Sequence, residues 1–143
     1  MQEVNFDEVL DRILEQNPRY ARDAYHFIKE SLDFTQRLVS KESKGKVRNH
    51  VSPGQLLDGI RQHALQQFGP MAVTVLNEWG IRNCTDFGEM VFSMIEGGLL
   101  AKTEKDSRED FQDGYDFTEA FEKPFWPESR LKAEAKKTSK PVQ

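Results

Sequence analysis

The stretch from Ser52 to Lys102 constrains the fold more than any other, because glycine and proline cut it into three helix-length pieces. Ser52-Pro53-Gly54-Gln55 opens the first piece and Gly69-Pro70 parts it from the second; Gly80 closes the second and Gly97-Gly98 the third. Ser52 suits an N-cap, Pro53 sits where a missing N–H costs nothing, and Gln55 can reach back to the cap. Leu56, Leu57, Ile60, Ala64, Leu65 and Phe68 then form one inward face. Met71, Val73, Val75, Leu76 and Trp79 make the next helix apolar nearly all round, which predicts the most buried element of the fold. Thr85 is the expected cap of the piece after it, where Phe87, Met90, Val91, Met94 and Ile95 share a side and Asp86, Glu89, Ser93 and Glu96 form the polar face.

Upstream, Asn5 with Glu8 reads as a capping pair before the stripe Phe6, Val9, Leu10, Ile13 and Leu14, and Asn17-Pro18 stops that helix. A second helix is expected from about Ala21 to Val39, followed by a basic loop over 40–50 that has no periodicity. Downstream, Leu99–Lys102 looks extended, and the alternation of Gly114-Tyr115-Asp116-Phe117 suits a strand returning beside it. Thr118 is the expected cap of one last turn carrying Phe121, and from Pro127 the composition predicts a disordered Lys-rich tail. The expected fold is therefore mainly α. It is one five-helix domain over 1–126 with a small C-terminal β-hairpin, then a flexible tail over 127–143. Helices followed by a hairpin is the order of a winged-helix module, and also of a plain helical bundle with a hairpin appended.

With 143 residues the chain can build one sizeable core. No apolar run approaches the ~20 residues of a membrane span, and the acidic start lacks the order of a signal peptide. The single cysteine, Cys84, excludes an intrachain disulfide, so a cytoplasmic setting is expected. The net charge of −4 conceals strong zoning. Residues 36–61 carry six basic and two acidic side chains, whereas residues 86–122 carry three basic and eleven acidic ones, a net of −8. Residues 123–143 return to +4. Such zoning selects partners by charge or draws the tail onto the body.

Catalytic signatures are missing from the pattern. His26, His50 and His63 fall on two helices and a loop with no metal-ligand spacing, and His63 shares a helix side with Leu56 and Ile60. Cys84 precedes a helix start but has no visible base partner, so it reads as a small core residue. Asp106, Arg108, Asp110 and Phe111 would occupy positions of a calcium loop, but Arg and Phe stand where an oxygen ligand and a glycine are needed. No metal or cofactor is expected. Phe121, Phe125 and Trp126 beside Pro124 and Pro127 suggest an aromatic strap folded on the body, or an exposed anchor for a partner.

Certain phrases carry a resemblance. They include His50-Val51-Ser52, Leu57-Asp58-Gly59-Ile60-Arg61, Ala64 to Pro70, Val75 to Gly80, Asp106 to Phe111 and Asp113 to Phe117. Across about Arg19 to Phe121 the chain resembles a family of small conserved proteins of planctomycete and verrucomicrobial bacteria that has no assigned function. Phe68-Gly69-Pro70 and Ser107-Arg108-Glu109-Asp110-Phe111 are the most specific parts of the likeness. It implies a bacterial cytoplasmic setting and no activity or site residue.

The expected function is accordingly non-catalytic: a cytoplasmic binding or adaptor protein whose acidic hairpin and helix face meet a basic protein surface. The candidate docking residues are Glu104, Asp106, Arg108, Glu109, Asp110, Asp113, Asp116 and Trp126. The alternative is a winged-helix-like, nucleic-acid-associated regulator that uses Arg37, Lys41, Lys44, Lys46 and Arg48 with the Lys132–Lys140 tail.

Overall fold

A computed structural model describes residues 5–42, 51–100, 108–112, 114–130 and 132–133. Helix α1 (Phe6–Gln16) begins where the Asn5 side chain accepts the Glu8 N–H at 3.1 Å, and it buries Val9, Leu10 and Ile13. Helix α2 (Arg22–Glu42) runs three residues beyond its expected end. Its buried residues Ala24, Tyr25, Phe27, Ile28, Ser31 and Thr35 make one stripe, and residues 36–41 hold no fully buried side chain.

Helix α3 (Pro53–Phe68) is entered through the expected capping box. Ser52 Oγ accepts from Gln55 N at 3.1 Å, and Gln55 Oε1 accepts from Ser52 N at 2.9 Å. The α2–α3 pair is the most extensive helix contact among the described residues. Gly59 allows it: a Cβ there would stand 1.7 Å from the Thr35 hydroxyl oxygen.

After a tight turn at Gly69–Met71 comes α4 (Ala72–Glu78), and here the expectation of deepest burial fails. Ala72 and Leu76 are buried, Val73 and Val75 are half-buried, and Met71 is 55% exposed. Seven residues make two turns, too short a rod to be surrounded, so composition alone misjudged it. Trp79 closes the helix against Phe27 and Phe68, with ring centres at 5.5 and 5.7 Å. Gly80, at φ +92°, adopts the left-handed turn, and a Cβ there would lie 2.6 Å from the Arg19 carbonyl oxygen.

Helix α5 (Cys84–Glu96) occupies the centre instead. It buries Cys84, Asp86, Phe87, Gly88, Met90, Val91, Phe92 and Met94 against α1, α2 and the turn Arg108–Phe111. Its cap is Asn83 rather than Thr85, because Asp86 sits at the third helical position and completes a capping box with Asn83.

The C-terminal hairpin does not form: among the described residues there is no β-strand. The chain leaves α5 through Gly97-Gly98, and the Leu99 N–H returns to the Met94 carbonyl at 2.8 Å, wrapping Leu99 back onto the core. On the far side, the Tyr115 carbonyl accepts from Cys84 Sγ at 3.4 Å and its hydroxyl donates to the Leu57 carbonyl at 2.8 Å. Those polar groups are spent on α5 and α3 rather than on a neighbouring strand. Tyr115, Phe117 and Phe121 pack as an aromatic triad with centres 5.1–6.3 Å apart, which is what the alternation encoded. Phe117 is already helical and leads into a π turn at Thr118–Glu122. Thr118 does not cap it. Asp116 does, accepting the Glu119 N–H at 3.2 Å. Without a hairpin there is no wing, and the winged-helix arrangement falls with it. A tight turn at Lys123–Phe125 follows, and residues 128–130 and 132–133 are helical where a disordered tail was expected to have begun.

Candidate functional site

The most elaborate polar cluster lies where the α1–α2 linker meets the start of α5. Asp86, expected on a solvated face, is 4% exposed at its side chain. Oδ1 accepts from the Tyr20 hydroxyl at 2.6 Å and the Arg19 guanidinium at 3.0 Å. Oδ2 accepts from the backbone N–H groups of Arg82 at 2.8 Å and Asn83 at 3.3 Å. Two donors on each oxygen fill the acceptor positions a carboxylate has, so none remains to take a proton from a substrate. Burial, then the bond to Asp86, pushes the Tyr20 phenol well above its usual range. This cluster is a structural knot. The sequence pattern hid it because Tyr20 and Asp86 are 66 residues apart.

Cys84 behaves as a core residue: it is buried, and burial pushes its thiol up to about 11. Of the histidines, His26 is half-exposed beside Phe6 and Asp7, and His50 lies outside the described residues. His63 is buried on α3 against the rings of Phe27 and Phe34, and neither ring nitrogen finds a hydrogen-bond partner among the described residues. Burial lowers its pKa from 6.5. Among the described residues, no three His, Cys, Asp or Glu side chains converge as a metal site would require.

The acidic docking residues are partly in view. Glu104, Asp106 and Asp113 lie outside the described residues, as do the side chains of Arg108 and Glu109 in the turn before Phe111. Asp110 and Asp116 are exposed, and Trp126 is half-buried beneath Arg130, whose guanidinium carbon stands 3.8 Å from the ring centre. Phe121 is fully buried, as a strap requires, whereas Phe125 points outward at 46% exposure. Of the basic candidates, Arg37 and Lys41 are exposed one turn apart on α2, next to Asp33, while Lys44, Lys46 and Arg48 lie outside the described residues.

The surface that sequence reasoning missed centres on the π turn Thr118–Glu122. That turn packs against α3, α4 and the Gly69–Met71 turn, and it runs directly into Lys123–Phe125. Met71 and Phe125, the large exposed apolar side chains among the described residues, belong to the two turns that adjoin this element. Glu119 and Glu122 are exposed on it and Asp116 just before it, with Glu119 paired to Lys123. The sequence pattern hid this surface, because Met71 adjoins the apolar run of α4 and reads as part of a buried face. No helix among the described residues is long and apolar enough to cross a membrane.

Comparison with known proteins returned no matching family model, no matching curated protein and no matching solved structure.

Proposed function

We propose that the protein is a non-catalytic, cytoplasmic binding module that docks a basic amphipathic segment of a partner protein on the face around the π turn. The observation that carries this reading is an acidic turn adjoined by two turns that each bear an exposed apolar side chain, Met71 and Phe125. Such side chains supply the dry centre of an interface, while Asp116, Glu119 and Glu122 supply a rim that attracts lysine and arginine. The sequence adds to the field, since residues 86–122 carry a net of −8. Trp126 supports the turn beneath Arg130 rather than serving as the anchor; Phe125 takes that role. The nucleic-acid alternative has less behind it, because Asp33 shares the α2 face that bears Arg37 and Lys41.

The test is comparative capture from native extract with two variants, one carrying Met71→Ser and Phe125→Ser, the other Glu119→Lys and Glu122→Lys. Both should fold, as judged by circular dichroism. The first should lose its specific partners outright, and the second should lose them most at low salt, through a slower on-rate. Recovery of the same proteins by both variants as by the original chain removes this face as the docking site.

A further inference from the structure

His63 is a buried base with no hydrogen bond, set in the largest helix contact among the described residues. Its ring lies 5.2 Å from Phe27 at 22° and 5.2 Å from Phe34 at 38°, so two aromatic rings from α2 pack on it. Both nitrogens are sealed from solvent without a hydrogen bond among the described residues. The Glu30 carboxylate comes within 3.9 Å of Nε2, too far to bond, and the Glu30 side chain is 68% exposed. Arg37 acts on the ring from the same helix as a like charge. On α3 itself, Asp58 and Arg61 pair with each other. Phe68 and Trp79, from the end of α3 and the end of α4, pack on Phe27 behind the slot as uncharged rings.

We propose that His63 makes the α2–α3 pair an acid-sensitive joint: a proton on the ring forces a charge into the aromatic slot, the ring swings outward to Glu30, and the two helices loosen. The step is a proton taken from solvent by one ring nitrogen, with no other bond made or broken. Glu30 is poised for capture because its exposed side chain can follow the ring, whereas Phe27 and Phe34 offer the imidazolium no hydrogen bond. Burial, the larger influence, outweighs Glu30 and holds the folded pKa below 6.5. The sign follows: the stability tied to a neutral His63 is present above pH 6.5 and is lost as pH falls through the lower folded value. Gly59, closed against Thr35 along the same seam, leaves no slack for the pair to absorb the movement.

The experiment is hydrogen exchange of the α2 and α3 amides on the whole chain at pH 7.5, 6.5 and 5.5, corrected for intrinsic rates, alongside NMR titration of the His63 ring. Protection in α2 and α3 should fall about tenfold for each pH unit by which the folded pKa lies below the unfolded one. His63→Phe, which keeps an aromatic ring in the slot, should abolish the acid loss. Glu30→Gln, which removes the capturing carboxylate, should deepen it. The inference is overturned if His63 titrates at or above 6.5, if His63→Phe loses as much protection as the original chain, or if Glu30→Gln loses no more. The titration needs no variant, so a misfolded variant would not shield the proposal. The proposed docking face plays no part in the readout.

Discussion

The Asp86 corner and the His63 slot bury two ionisable side chains in opposite ways. Asp86 has four donors on two oxygens, and the groups that hold it come from two separate stretches of chain, Arg19-Tyr20 and Arg82-Asn83. His63 has two polar atoms and no hydrogen bond among the described residues, only two neighbouring rings and a carboxylate at 3.9 Å. Burial is comparable, so exposure does not separate them. Satisfaction does: a filled carboxylate fixes geometry, whereas an unfilled imidazole leaves a weak point that solvent protons can find.

Removing the filled group should cost the most. Asp86→Ala leaves the Tyr20 hydroxyl and two backbone N–H groups without their acceptor, and should destabilise the chain by about 3 kcal/mol in urea unfolding. Removing the unfilled group should act in the opposite direction. His63→Phe should raise stability at pH 7.5 by about 1 kcal/mol, because it withdraws buried polar atoms that bond to nothing. A loss there would collapse the contrast.

Smaller changes sharpen it. Tyr20→Phe takes one of four donors from Asp86 and should cost about 1 kcal/mol. Arg19→Ala should cost less, about 0.5 kcal/mol, since the Arg19 side chain is 58% exposed and its ion pair is screened by solvent. The least effect at neutral pH belongs to Cys84, whose stabilising contribution as a neutral thiol is complete below pH 9.0 and is lost as pH rises through about 11. Cys84 should therefore resist a disulfide reagent in the folded protein at pH 8 and react fully in urea. Rapid labelling without denaturant would show an opening that the buried geometry does not contain.

Local chemistry was the legible part of the fold. Asn5 with Glu8, Ser52 with Gln55, and the stops at Gly69 and Gly80 all act over a few residues, and the helix starts and ends they predicted are where the chain turns. What depends on packing was not legible. The apolar composition of α4 could not reveal that so short a helix would be left at the edge while α5 took the centre. Tyr115 and Phe117 alternate as a strand would, because a bend that folds two rings under Phe121 gives the same pattern. Asp86 falls in register with Glu89, Ser93 and Glu96, and only the linker crossing above it decides that it is buried. The candidate site suffered likewise: charge marked the region, but Met71 and Phe125 were located by shape.

The contact between the α1–α2 linker and the end of α4 has a bearing on the order in which the chain can assemble. The Ala21 N–H reaches the Trp79 carbonyl, Gly80 presses on Arg19, and Tyr20 waits for Asp86. During synthesis the first two helices emerge long before any of those partners exists. A nascent chain halted before residue 79 can pair α2 with α3, but its α1–α2 linker still lacks Trp79, Gly80 and Asp86. The linker between the first two helices is therefore fixed only when a segment about sixty residues further on has been made, a contact of long sequence separation.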